Sequence, residues 1–232
     1  MVKNRIVSRL QLILCICFAL AVGRGANAQT LFYSGNLTNS GNTNQIGAGN
    51  EQTFDVFKIT APLGWKLSSI YSNDFQLAAP PDVATTANWS IRTGMSTGAG
   101  GGGTTLFSGT TVATQTPTGR TAGGFPEFTV GVNISSLGII LGPGTYWLQV
   151  SPVGAHNRWF NSTTSGASGV NAVNGNNGLS FVGGSYMARN ADFSMGINGT
   201  VNTPEGSSLA MFALGGLPLA IGFGRKLRRK KA

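Results

Sequence analysis

The sequence has 232 residues, and its 16 basic against 7 acidic side chains give a formal net charge of +9. The excess lies at the two ends, because residues 29–203 hold six basic and six acidic side chains and are net neutral. A neutral middle lacks the basic stripe that nucleic-acid binding requires, so no nucleic-acid partner is predicted. Both cysteines, Cys15 and Cys17, precede this region, which excludes disulfides, thiolate metal sites and a cysteine nucleophile there.

The first 28 residues have the layout of a secretory signal peptide. Three basic residues precede an apolar stretch, 10–22, and the segment ends in the small-x-small pattern of Ala26 and Ala28. This pattern predicts an N-terminal signal helix that signal peptidase removes between Ala28 and Gln29. The alternative, an N-terminal membrane anchor, has about a dozen apolar residues, whereas a bilayer-spanning helix needs ~20.

The region 29–203 contains short runs rich in threonine, valine and aromatic residues, separated by glycine, proline, asparagine and serine, which predicts β-strands. Polarity alternates within several runs, as where Phe128, Val130 and Val132 share one face, and no run has a helical period over ten residues. The predicted strands are an edge strand at 31–33, then 53–59, 65–71, 88–92, 104–107, 110–114, 127–132, 144–150, 158–160, 179–182 and 192–197. Because no crossover helices are available, the predicted fold is an all-β, antiparallel β-sandwich, jelly-roll-like in type.

The last 29 residues form a separate segment. The motif Pro204-Glu205-Gly206 is followed by an apolar run at 209–224 and a basic cluster at 225–231. This arrangement resembles the PEP-CTERM signal of bacterial proteins that an exosortase handles, although Gly206 stands where that family usually has a second proline. The middle region also has segments similar to the sandwich domain common in such proteins: 89–92, 100–109 and 141–148.

The sequence therefore predicts three parts: a signal peptide at 1–28, a β-sandwich domain at 29–203 and, as the resemblance implies, a C-terminal sorting signal at 204–232. It implies export, an inner-membrane intermediate with the apolar run inserted as a short helix, and cleavage near Pro204 and Glu205 by an exosortase-type transpeptidase. The protein would then reach the cell surface or the extracellular space. Retention of the apolar run as a permanent anchor is the alternative.

Two features that could suggest catalysis are interpreted structurally. His156 is the only histidine, and a triad or a zinc site needs partners that the sequence does not offer. The glycine-rich segment 98–103 is followed by strand-like residues, whereas a phosphate loop requires a helix N-terminus. The segment is therefore predicted to be a connection between strands.

The six carboxylates of the middle region show no spacing that selects a glycosidase pair. Glu127 with Asp192, or Glu51 with Asp55, could be proposed, but nothing places either pair across a cleft. Glu51, Thr53 and Asp55 would share one side of a strand, which is compatible with calcium ligands at a sandwich edge. No catalytic residue, metal ligand or cofactor is predicted, with calcium left open beside solvated surface charge.

Two tryptophans are the candidates for ligand binding. Trp147 lies on the opposite side of its strand from Tyr146, Leu148 and Val150, so it faces outward if those three form the core. Trp159 lies in a polar stretch. Exposed aromatic rings stack on sugar rings, which makes polysaccharide a candidate partner, although packing under loops is the commoner fate of tryptophan.

These observations favour a non-enzymatic surface or matrix protein associated with exopolysaccharide or biofilm. The first alternative is a carbohydrate-binding module. A polysaccharide-degrading enzyme is a weaker alternative, because it depends on unpaired carboxylates.

Overall fold

The computed structural model describes residues 28–38, 41–43, 51–76, 82–155, 159–164, 168–173 and 175–203. Residues Asn27–Asn202 form one compact unit. Its described strands β1 to β14 are, in order, Gln29–Tyr33, Gly41–Thr43, Gln52–Ile59, Trp65–Gln76, Thr86–Thr93, Thr104–Ala122, Phe125–Asn133, Ile140–Leu141, Gly144–Val153, Trp159–Thr164, Leu179–Val182, Ser185–Ala188, Asp192–Phe193 and Met195–Val201.

The prediction of an antiparallel all-β fold is confirmed. Within the described ranges a 3-10 turn at Ser135–Leu137 is the one helical element, and every strand pairing recorded there is antiparallel. No helix in this part of the chain is long and apolar enough to cross a membrane. The predicted signal helix and the C-terminal apolar helix lie outside the described residues.

Most predicted strands form where the polarity pattern placed them. Val130 and Val132 are buried and Phe128 packs against them, as the alternation in β7 indicated. The two runs at 104–107 and 110–114 are parts of one long strand, β6, because Gly109 pairs with Trp89 and the indole ring lies over the glycine. Strands β2, β8 and β12 were not predicted, since they are short and lack an alternating apolar pattern.

The strands form one strongly curled sheet in the order β1-β14-β4-β7-β6-β5-β9-β3-β11-β12, with β2, β8, β10 and β13 attached beside this path. Strand β6 joins the two halves of the sheet. Its residues 104–112 pair with β5, and its residues 113–122 pair with β7.

Both halves of the sheet contribute to one hydrophobic core. Buried side chains reach it from both, and they include Ile70, Val132 and Ile197 from one half and Phe57, Ile91 and Leu148 from the other. A smaller cluster of Phe54, Met95 and Leu179 lies on the opposite face of β3, where the β11–β12 hairpin covers it. Both faces of β3 are therefore buried.

Candidate functional site

The structure separates the two tryptophans that were candidates for sugar binding. Trp159 is wholly buried in the main core, so it has no exposed ring face on which a sugar could stack. Trp159 points inward because β10 pairs with β4, even though its neighbours in the sequence are polar. Trp147 does lie opposite Leu148, but it is half-buried and packs against the small cluster around Phe54.

A groove on the outer face of the other half-sheet offers a better binding surface. It has a volume of about 750 Å³, and the residues relevant to binding are Tyr33, Tyr71, Asn73, Thr114, Arg120 and Asn198. We call this surface the tyrosine groove. It spans strands β1, β14, β4, β7 and β6.

The floor of the tyrosine groove is a row of residues running across five strands. Cross-strand pairing joins Tyr33 to Gly196, Gly196 to Tyr71, Tyr71 to Gly131 and Gly131 to Thr114. Large and small residues thus alternate along the row. Because side chains of directly paired residues lie on the same face, the two tyrosine rings flank a glycine that leaves room between them.

The glycines of this row position the tyrosine rings. A methyl group on Gly196 would overlap the ring of Tyr71, so that ring lies directly over the glycine backbone. The ring centroids of Tyr33 and Tyr71 are 6.0 Å apart with an angle of 38° between the planes. Both tyrosines are half-buried, and together they form an aromatic platform at the groove floor.

A β-bulge directs Tyr71 into the groove. Leu67 pairs with Gly199 while Ser69 pairs with Asn198, so Ser68 is an extra residue in β4. A bulge of this kind changes the face to which all later side chains point. Ile70 consequently enters the core, and Tyr71 faces outward.

Amides and hydroxyls surround the aromatic platform. The Asn73 amide donates to the Tyr33 hydroxyl at 3.2 Å and to Ser194 Oγ at 2.8 Å, and its oxygen accepts from the Thr129 hydroxyl at 2.7 Å. On the other side the Asn198 amide donates to Ser69 Oγ at 3.1 Å. These bonds fix the orientation of both amides at the groove.

The charge of the groove is neutralised internally. Arg120 Nε lies 2.6 Å from a carboxylate oxygen of Glu127, which is buried and also accepts from Thr118 at 2.7 Å and Ser162 at 2.5 Å. Burial raises the pKa of the Tyr71 phenol, an effect that the nearby Tyr33 increases and Arg120 opposes. Tyr71 therefore stays protonated and neutral at physiological pH.

Five of the six carboxylates of the middle region are buried, whereas Glu51 is half-buried. Each buried carboxylate accepts hydrogen bonds inside the protein. Asp55 accepts from Ser34, Asp74 from Ser72 and Asn161, and Asp82 from the Val83 and Ala155 amides. Glu127 accepts from Arg120, Thr118 and Ser162, and Asp192 accepts from the Asn177 amide. These contacts hold strands and loops together.

Asp55 has the most perturbed environment of these five. Burial raises the pKa of this carboxyl to about 8, the Ser34 hydroxyl acts in the opposite direction, and the charge of Asp192 adds to the rise. The second Asp55 oxygen and the Thr53 hydroxyl are buried without a hydrogen-bond partner. Among the described residues no group of three His, Cys, Asp or Glu side chains is arranged to hold a metal ion.

The remaining predicted features are placed as follows. The segment 98–103 forms turns between β5 and β6, with positive φ at Gly98 and Gly103, so its prediction as a connection is confirmed. Ala28 and Gln29, at the predicted signal cleavage point, are exposed. His156, Ala26 and the motif Pro204, Glu205 and Gly206 lie outside the described residues.

Comparison with known proteins gives no relative, since the chain matches no family model, no curated protein and no solved structure.

Proposed function

We propose that this chain is an exported surface or matrix protein whose β domain binds polysaccharide in the tyrosine groove. The observation that carries the proposal is the row Tyr33–Gly196–Tyr71–Gly131, which forms an aromatic platform in an open groove that also has polar side chains in its lining. Export is inferred from the signal peptide, and association with exopolysaccharide from the resemblance of the tail to PEP-CTERM signals.

The chemistry of the groove suits an uncharged sugar chain. The apolar C–H face of a sugar ring packs against a tyrosine ring, and its hydroxyls bond to fixed amides and hydroxyls. Thr114 and Asn198 supply such groups beside the platform. Since Glu127 neutralises Arg120, the groove attracts no particular ionic charge.

Replacing Tyr71 by Ala tests the site. The substitution removes half of the platform, and we expect polysaccharide extracted from the producing cells to bind roughly tenfold more weakly, a loss of about 1.4 kcal/mol. Isothermal titration calorimetry on the full chain measures the change.

Two control variants make the result specific. Tyr71→Phe keeps the ring and is expected to retain most of the affinity, which separates stacking from loss of fold. Trp147→Phe, on the opposite half of the sheet, is expected to leave binding unchanged. Wild-type affinity in Tyr71→Ala, or a loss confined to the Trp147 variant, would remove the tyrosine groove as the binding site.

The sorting role follows from the tail. An exosortase-type enzyme would cleave near Pro204 and Glu205 while the apolar run is held in the membrane and the basic cluster remains cytoplasmic. We expect mass spectrometry of the surface-exposed protein to find a new C-terminus close to residue 204. Recovery of surface protein that still ends at Ala232 would favour the permanent anchor instead.

We also infer that the curled sheet is a jelly-roll-like sandwich. Side chains from β4, β7 and β14 meet those of β3, β5 and β9 in one core, which supports two facing layers. In such an arrangement the tyrosine groove occupies the outer face of one layer.

A further inference from the structure

Among the described residues, the first half of β6 has a strand partner on only one of its two edges. Residues 107–112 pair in regular register with β5 on one side. On the other side β7 ends at Asn133, where the chain turns into the 3-10 segment Ser135–Leu137, and no described strand continues the ladder. We call residues 107–112 the free edge. Its six residues equal a typical strand in length.

The second half of β6 is protected in a way that the free edge is not. There the Ala113 amide donates to the Thr85 carbonyl at 3.1 Å, and the Ala84 amide donates to the Gln115 side chain at 2.7 Å, so loop residues cover the outer side. Pro117 and Arg120 also belong to this half. Proline, charge and covering loops are the usual means by which proteins prevent edge-to-edge pairing.

The free edge itself carries no charge and no proline. Its sequence is Phe-Ser-Gly-Thr-Thr-Val, and Phe107 and Val112 are 36 % and 75 % exposed. Leu106, 40 % exposed, is an extra residue in a bulge that marks where the regular ladder ends. Unsatisfied backbone groups beside exposed apolar side chains are a template for another strand.

We propose that the free edge pairs with the same edge of a second copy of this chain, antiparallel and about a two-fold axis. A two-fold axis places the same segment of both copies side by side, so any charge on the segment would lie near the same charge of the other copy. An uncharged segment avoids this repulsion, and 29–203 as a whole is net neutral. Pairing joins the two curled sheets through β6 and covers Phe107 and Val112.

This pairing does not depend on polysaccharide binding. It links two domains through the backbone and covers Val112, which lines the β6 end of the tyrosine groove, but it does not involve Tyr33 or Tyr71. A dimer that presents two grooves would cross-link polysaccharide chains, which is a useful property in a matrix.

Replacing Ser108 by Lys tests the pairing. Ser108 is exposed on the free edge, and the structure shows no side-chain hydrogen bond for it, so the substitution adds charge without removing a described contact. Ser136→Lys is the matched control, because Ser136 is exposed on the 3-10 turn. Sedimentation velocity of the full chain in mild detergent, over a range of concentrations, measures the association.

We expect the wild type and Ser136→Lys to dimerise with the same dissociation constant, and Ser108→Lys to dimerise at least tenfold more weakly. A monomeric wild type over the whole range would overturn the proposal. Equal dimerisation of Ser108→Lys would do so too, since the association would then come from another part of the chain.

Spin labels provide a second measurement. The sequence has two cysteines, so a Cys15→Ser, Cys17→Ser background allows one label at Ser108→Cys or Ser136→Cys. A six-residue strand spans about 20 Å, so paired free edges bring two labels at position 108 within roughly 30 Å of each other. Labels at position 136 should be farther apart. Absence of a short distance at position 108 in the dimer would overturn the pairing.

Discussion

Replacing Asp55 by Asn should abolish most of the decrease in stability that the wild-type protein shows as the pH rises from about 4 to about 8. The Asp55 carboxyl is buried on β3 beside Asp192, and its pKa rises from 3.8 to about 8, chiefly because burial disfavours the charged form. Between these two values the folded protein holds the proton, while the unfolded chain releases it. Asparagine resembles the protonated acid in size and polarity, but does not titrate.

The direction of the effect follows from proton binding. Because the folded state binds more protons than the unfolded state in this window, the free energy of unfolding falls as pH rises, by up to about 1.4 kcal/mol per pH unit. The contribution of Asp55 is fully present below pH 3.8 and is lost as the pH passes through about 8.

Urea unfolding of the full chain at pH 4.5, 6 and 7.5 measures the slope. Glu51→Gln is a suitable control, because Glu51 precedes the same strand but is not fully buried. This control should keep the wild-type slope, whereas Asp55→Asn should flatten it. An unchanged slope in Asp55→Asn would show that the proton is not held at this carboxyl.

Gly64→Ala should destabilise the protein by more than about 4 kcal/mol, a loss that approaches the total stability of many domains. Gly64 ends the turn between β3 and β4 with φ of +76°, and a methyl group there would overlap the backbone carbonyl of Leu141. The Gly64 carbonyl also accepts from the Asn202 amide at 2.8 Å. Any shift that relieved the overlap would therefore disturb the end of β14 as well.

Gly119→Ala separates the two causes of this loss, which are the left-handed backbone conformation and the overlap with the Leu141 carbonyl. Gly119 has nearly the same φ, +77°, but a methyl group there would have no neighbour within 4 Å. It should cost only about 1–2 kcal/mol, the penalty for a left-handed conformation. Thermal unfolding of both variants gives the comparison, and similar losses for the two would mean that the contact with Leu141 is unimportant.

The strands could be predicted because their signals are local. In β9 alternation alone places Leu148 and Val150 in the core and Trp147 on the other face, as observed. The partial burial of Trp147 on that other face could not be predicted, since the cluster against which it packs includes Leu179, which is distant in sequence. Exposure of a side chain depends on such long-range packing, which also determines the burial of Trp159.

The tyrosine groove was missed for a different reason. Uninterrupted alternation from Trp65 and Leu67 would place Ser69 and Tyr71 in the core. The bulge at Ser68 reverses this, and it exists because β14 pairs with β4 in a shifted register. No local sequence pattern predicts such a shift. The role of Gly196 can be recognised only when its pairing with Tyr71 is known.

The buried carboxylates likewise follow from tertiary structure. Asp55 lies between Phe54 and Val56 in a strand whose two faces are both covered, so a polar residue has no exposed side to occupy. A sequence pattern can identify Asp55 as a strand residue, but it cannot show that Ser34 and Asp192 will be its neighbours.

The pairing of β1 with β14 has a consequence for the order of folding. The first strand of the domain, Gln29–Tyr33, takes as its ladder partner the last, Met195–Val201, which in turn lies against β4. Contacts between segments so distant in sequence form late and slowly. A chain that crosses a membrane in the order of its synthesis therefore cannot complete this half-sheet until nearly all of the domain has passed. The strand that completes it ends three residues before position 204, so folding would nearly coincide with the arrival of the proposed sorting motif.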